Sequence, residues 1–79
     1  MKAKVTVKLK NGVLDPQGKA VLNAAHSFGF NDVVDVKVGK VFFIELQSKD
    51  NKSAQLHLEE LSDKLLANTV IENFEIEVL

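Results

Sequence analysis

The sequence predicts an α+β domain with the element order βαββαβ. Three observations predict it: several stretches alternate apolar with polar residues, two longer stretches repeat apolar residues at helical spacing, and turn or cap residues stand where the period changes. Ala3, Val5, Val7 and Leu9 alternate with Lys2, Lys4, Thr6, Lys8 and Lys10, the pattern of a strand with one buried face. Asn11-Gly12 supplies a turn. Asp15 then offers a carboxylate at an N-cap, with Pro16 at the first helical position, and the helix runs from Pro16 to Phe28 with Gly29 at C′. At about 100° per residue, Gln17, Val21, Ala24, Ala25 and Phe28 share one side. Lys19, Leu22, Asn23 and His26 share the other, so Leu22 is expected on the wet side. Gly18 is unusual, because a glycine in a helix costs about 1 kcal/mol against alanine. It implies the close approach of another backbone, or a turn gripped by a partner.

From Val33 the alternation returns, with Val34, Val36 and Val38 facing one way and Asp35 and Lys37 the other, and Gly39-Lys40 reads as a tight turn. The third strand, Lys40 to Gln47, places Phe42, Ile44 and Leu46 on one face and Val41 and Phe43 on the opposite one. Ser48 to Ser53 is a polar loop. A second helix is expected from Ala54 to Ala67, with Ala54, Leu58, Leu61 and Leu65 as its apolar stripe, Leu56 on the far side, and Asn68 left-handed at C′. Phe74, Ile76 and Val78 alternate with Asn73, Glu75 and Glu77 in a closing fourth strand.

Two βαβ halves with right-handed crossovers interleave most simply as a ferredoxin-like fold, a four-stranded antiparallel sheet of order 4-1-3-2 with both helices on one face. The first and fourth strands are then neighbours. On the uncovered face Lys4 and Lys8 meet Glu75 and Glu77, in cross-strand pairs worth about 0.2–1 kcal/mol each. Beside them lie Val41 and Phe43. An open face with an apolar centre and a charged margin is expected to associate, here as a homodimer.

Function classes are narrowed mainly by what is missing. The 79 residues make one small domain, and a net charge of -1 gives no footprint for nucleic acid. With no cysteine there is no disulfide, thiolate site or cysteine nucleophile, which suits a reducing compartment. The lysines interleaved through the N-terminal strand argue against a signal peptide or a membrane span, so a soluble cytoplasmic protein is expected. His26 and His57 read as surface or boundary residues, and Glu59 and Glu60 are successive on a helix and diverge. Gly12, Gly18, Gly29 and Gly39 are scattered and form no phosphate loop. No metal set or catalytic constellation emerges, and no cofactor is expected on this chain. The fold itself does not choose a function. An arginine to hold phosphate and a cysteine pair to hold a metal are both missing from the Lys10-Asn11-Gly12 loop, whereas a free-standing regulatory domain that binds a small ligand at a dimer interface stays open.

Three runs carry a resemblance: VLDPQGKA from Val13 to Ala20, VKVGK from Val36 to Lys40, and LLANTVIENFEIEV from Leu65 to Val78. Together, in order and spacing, they resemble the PurS family, the small subunits of bacterial and archaeal phosphoribosylformylglycinamidine synthase. Departures are Lys37 where arginine is common, Ser62 where cysteine is frequent, and the lack of a tyrosine near the third or fourth strand. The resemblance implies one PurS-like domain over residues 1–79, a dimer that is not catalytic alone. It would hold a glutaminase subunit to a synthetase subunit that carries ATP and Mg and activates formylglycinamide ribonucleotide. Within that expectation Asp15, Pro16, Gln17, Gly18 and Lys19 form one partner-facing turn, and Asn68, Thr69, Val70 and Glu72 a second.

Overall fold

The computed structural model describes residues 1–48 and 50–79. Lys49, in the loop expected from Ser48 to Ser53, lies outside the described residues. Strands β1 (Lys2–Leu9), β2 (Gly39–Glu45) and β3 (Glu72–Val78) form an antiparallel sheet of order β2-β1-β3. Helix α1 (Pro16–Ser27) follows β1, and helix α2 (Asn51–Leu61) runs into one π-helical turn, Ser62–Leu66, before β3. The registers put Val5 opposite both Phe42 and Ile76, so the inward sets chosen by alternation meet across the central strand. Ala3, Val5 and Val7 are buried there under Ala54 and Leu58 of α2, with Phe42, Ile44, Phe74, Ile76 and Val78 around them.

The expected neighbours of the first strand are the ones observed, but among the described residues the sheet has three strands and not four. The missing one is the segment from Val33 to Val38. Two of its polar groups are tied to the two ends of α1: the Val38 N–H donates to Asp15 Oδ2 at 2.8 Å, and the Val33 carbonyl accepts from His26 Nε2 at 2.7 Å. Gly39 and Lys40, expected as a turn, instead open β2 opposite Lys8 and Val7. The segment thus runs beside the helix in an extended course with no strand next to it.

That arrangement also overturns the expected placement of both helices on one face. Only α2 covers the sheet; α1 makes no more than marginal contact with any strand. The apolar residues of α1 are placed differently as a result. Leu22, expected wet, is half-buried in the cleft it forms with Val36, whereas Phe28 of the apolar stripe is 81% exposed and Val21 is exposed too. Gly29 does take a positive φ of 92° at the helix end, as its C′ role requires.

α2 starts earlier than expected because Asp50, whose Oδ1 accepts the Ser53 N–H at 2.8 Å, caps it. It ends differently as well. The Ala67 N–H reaches the Ser62 carbonyl, five residues back, at 2.9 Å, and this extra residue in the turn shifts the face. Leu65 is therefore 75% exposed, and Leu66 packs on the core in its place. Asn68 is not left-handed, since no described residue other than glycine has a positive φ; Ala67 leaves the helix in an extended conformation instead.

One described helix off the sheet makes the molecule long, 50 × 24 × 14 Å. Its radius of gyration is 16.0 Å, against about 12 Å for a compact chain of this length. The accessible surface, 5930 Å², likewise exceeds the value of about 4,700 Å² for a compact monomer of this mass.

Two stability outcomes follow from this packing. The Ser62 hydroxyl is fully buried with no hydrogen-bond partner, and Ser62→Ala is expected to stabilise the chain by about 1 kcal/mol in urea denaturation. Gly18 is the opposite case. A Cβ there would lie deep inside contact distance of the Val36 carbonyl oxygen and 2.8 Å from Asp15 Oδ2, so Gly18→Ala should lower stability by about 1–3 kcal/mol in the same measurement.

Candidate subunit interface

The two turns singled out in the sequence lie at the same end of the sheet. β1 leaves the sheet there, with the Lys10 N–H donating to the Ile71 carbonyl at 2.8 Å. Gly12, at φ 83°, reverses the chain, and Asp15 then begins α1. Its carboxylate is divided between two donors: Oδ1 accepts the Gly18 N–H and Oδ2 the Val38 N–H, each at 2.8 Å. The first bond is the expected N-cap. The second, between residues 23 positions apart, closes the α1 start onto the entry to β2. These bonds, that to Val38 first and that to Gly18 next, hold the Asp15 carboxyl below the usual aspartate range, with Lys37 adding to the effect.

Gly18 is buried against Val36. The close backbone approach that its presence implied is real, and the backbone is this chain's own. Pro16, Gln17 and Lys19 are exposed on the outer side of the turn. In the second turn Asn68 Oδ1 accepts the Val70 N–H at 3.2 Å, and Glu72 Oε1 accepts the Asn68 N–H at 2.7 Å. Glu72, half-buried, also stands 3.7 Å from Lys40 Nζ, so it braces the turn from inside. Thr69 and Val70 are left exposed at the tip.

The open sheet face is built as the alternation requires. Lys4 pairs with Glu77 at 3.3 Å and Lys8 with Glu75 at 4.0 Å, the latter diagonally, because Asn73 is the residue directly opposite Lys8. Lys2 and Glu45 extend the row at 3.8 Å. Phe43, 78% exposed, and Val41 stand beside this row with nothing over them. Sequence reasoning missed a further surface, formed by Val21 and Phe28 of α1 together with Phe30 and Val34, all exposed. Its signal was present in the helical spacing but was assigned to the core.

Among the described residues no three His, Cys, Asp or Glu side chains converge on a metal position. Glu60 engages Lys64 at 2.8 Å, which lowers the Glu60 carboxyl and raises the Lys64 amine, while Glu59 accepts from Gln55, so the two glutamates serve separate neighbours.

The Asp15 geometry sets a pH response. A carboxyl held low in the folded state contributes stability above its unfolded pKa, and that contribution disappears as pH falls through the folded value. Asp15→Asn is accordingly expected to melt lower than the parent chain at pH 7. The gap between the two should close below about pH 4, as read by thermal melts across that range; an undiminished gap in acid would refute the assignment.

The fold has known counterparts. The family model described as "PurS: Phosphoribosylformylglycinamidine (FGAM) synthase" matches residues 2–79. The phosphoribosylformylglycinamidine synthase subunit PurS of Bacillus subtilis is 47% identical over 77 residues, spanning 98% of this chain and 90% of that protein. Among solved structures, B. subtilis PurS superposes with a TM-score of 0.86 at 46% identity, covering 96% of this chain and 94% of that one. Methanocaldococcus jannaschii PurS, one of the subunits of formylglycinamide ribonucleotide amidotransferase, gives 0.86 at 39% identity, covering 96% and 92%. A chain in the PurLQS structure from Thermotoga maritima, at 23% identity and 0.89, covering 99% and 95%, is alike in fold. The chain belongs to the PurS family of phosphoribosylformylglycinamidine synthase subunits.

Proposed function

We propose that this chain is the small, non-catalytic subunit that holds the glutaminase and the ATP-dependent synthetase of phosphoribosylformylglycinamidine synthase together, acting as a homodimer in the cytoplasm. The observation that carries the reading is the mismatch between apolar surface and cover. The surface beyond that of a compact monomer, roughly 1,200 Å², exceeds the ~800 Å² per partner of a standard interface. It includes Val41 and Phe43 on the sheet and Val21 and Phe28 on α1. A two-fold pair of chains through the open sheet face would cover the first set, and would let α1 of each copy lie against the other. The segment from Val33 to Val38, alternating like a strand but without a strand beside it, supplies an edge for the same association.

The bridging role draws on the family and on the T. maritima relative, found in an assembly named PurLQS. Ammonia set free in water at neutral pH becomes ammonium and loses its nucleophilicity, so a complex that transfers it between two sites gains from parts that keep those sites joined and dry. ATP and Mg would act on the synthetase subunit. No described helix is long and apolar enough to cross a membrane. Family membership disfavours the free-standing regulatory domain.

Light scattering at micromolar concentration is expected to return the mass of a dimer or a multiple of it, and a monomer mass would overturn the self-association. For the bridge, pull-down with the glutaminase and synthetase of the same organism should lose yield in Gln17→Ala and Val70→Asp. Both residues point outward from turns that are internally satisfied. Full yield and undiminished glutamine-dependent activity in both variants would move the contacts elsewhere.

A further inference from the structure

The turn between β1 and α1 carries a pair of residues, Asn11 and Gly12, with chemistry of their own. Asn11 is the only one of the six asparagines that is followed by glycine. Both residues are exposed, and Gly12 turns the chain at a φ of 83°, where an added Cβ would meet nothing within 4 Å. Among the described residues, neither the Asn11 side chain nor the Gly12 N–H is in a hydrogen bond. The turn is closed by the Val13 N–H donating to the Lys10 carbonyl at 3.2 Å, at the long end of the range for such bonds. The other asparagines are placed differently. Asn23 and Asn51 are in helices and Asn73 is in β3. Asn68 Oδ1 is engaged by the Val70 N–H, and Asn31 precedes Asp32, whose side chain screens its own backbone nitrogen.

We propose that Asn11 is a site of spontaneous covalent modification, deamidating through a cyclic imide to a mixture of aspartyl and isoaspartyl residues. The Gly12 backbone nitrogen, deprotonated by hydroxide, attacks Asn11 Cγ. As that bond forms, the bond from Cγ to the side-chain nitrogen breaks, and this nitrogen takes up a proton and leaves as ammonia. Water then opens the imide at one of its two carbonyls. Opening at Cγ restores the ordinary backbone with an aspartyl side chain; opening at the backbone carbonyl leaves the main chain running through Cβ and Cγ. One water is consumed and one ammonia released, with no change of oxidation state. Glycine is what permits the attack, because it has no side chain to hold its nitrogen away from Cγ and its backbone rotates freely. Lys37 lines the same cleft as Asn11 and is in no ion pair among the described residues, so its charge favours the anionic nitrogen that attacks. The isoaspartyl product lengthens the main chain by one methylene between Lys10, whose N–H holds the Ile71 carbonyl, and the Asp15 cap. It therefore loosens the tie between the two turns, whereas the aspartyl product leaves it in place. The inference stands on this turn alone and does not rest on the bridging role.

The test is to age the full chain in neutral and in mildly alkaline buffer and to follow it by intact mass and by fragment mass spectra. A gain of one mass unit should appear at Asn11 before any other asparagine, and faster at the higher pH. An isoaspartyl methyltransferase with its methyl donor should label the aged chain and not the fresh one. Asn11→Gln, whose longer side chain closes the corresponding ring far more slowly, should lose both signals while melting as the parent does. In the aged chain, amide NMR should show a second set of peaks for Lys10, Val13 and Ile71, with the buried Val5 and Leu58 unmoved; a labelled chain without that second set would overturn the loosening. The modification itself is overturned by a first mass gain at another asparagine, by an equal rate in Asn11→Gln, or by a reaction that proceeds in the urea-unfolded chain and is absent from the folded one.

Discussion

The structure depends on the Asp15 carboxylate, which ties two backbone amides that belong to different elements. One amide starts α1 and the other lies just ahead of β2. Because β1 and β2 are locked side by side through seven consecutive registered pairs, fixing α1 to the β2 entry also fixes where the helix points. His26, bonded to the Val33 carbonyl near the other end of α1, sets the second point of the line. A helix held at both ends against the same extended segment cannot fold back over the sheet. Gly18 permits the arrangement, since any side chain there would push α1 away from Val36.

The cost of that constraint is a core covered by a single helix. Ala3, Val5, Val7, Ala54 and Leu58 are sealed, but Phe42, Ile44 and Phe74 remain half-buried at the margin. A chain this short has little stability to spare, so covering the exposed apolar groups by association is the physically economical route. The charged row along β1 bears on how specific that association is. Every lysine pointing to the open face has a glutamate on a neighbouring strand within 4.0 Å. A partner must therefore either leave those pairs intact at its rim or replace them, and a generic apolar surface does neither.

Most elements were legible in the sequence, and the reason is local. β1 and β3 need only period two and a registered neighbour, and the α1 start needs only Asp15 and Pro16, whose effects act within one turn. The illegible parts all concern what an element faces. Helical spacing groups Val21, Ala24 and Phe28 on one side of α1 but does not say whether that side meets the sheet, so Leu22 and the stripe were assigned in reverse. In α2 the pattern ran correctly to Leu61 and failed at Leu65, because one π turn adds a residue that no periodicity announces. For Gly18 the sequence left a close approach of backbone open beside a docking turn, and nothing local could say that the backbone would be Val36, 18 residues further along. On the open sheet face the ion pairs were foreseen, while the bonds of Glu72 to the Asn68 N–H and to Lys40 had no local signal.

These errors share a physical origin. The strand pattern from Val33 to Val38 and the apolar stripe of α1 are both well formed, and the single chain leaves much of each open: Val34 is 87% and Phe28 81% exposed, and Val21 is exposed too. Periodicity records which groups are shielded from water in the working state of a protein, since that is where the hydrophobic effect acts on them. Where a pattern is strong and the isolated fold leaves it open, the missing cover lies outside the chain. In a member of a family of enzyme subunits, the two patterns that run against the isolated fold are the ones that the proposed association would cover.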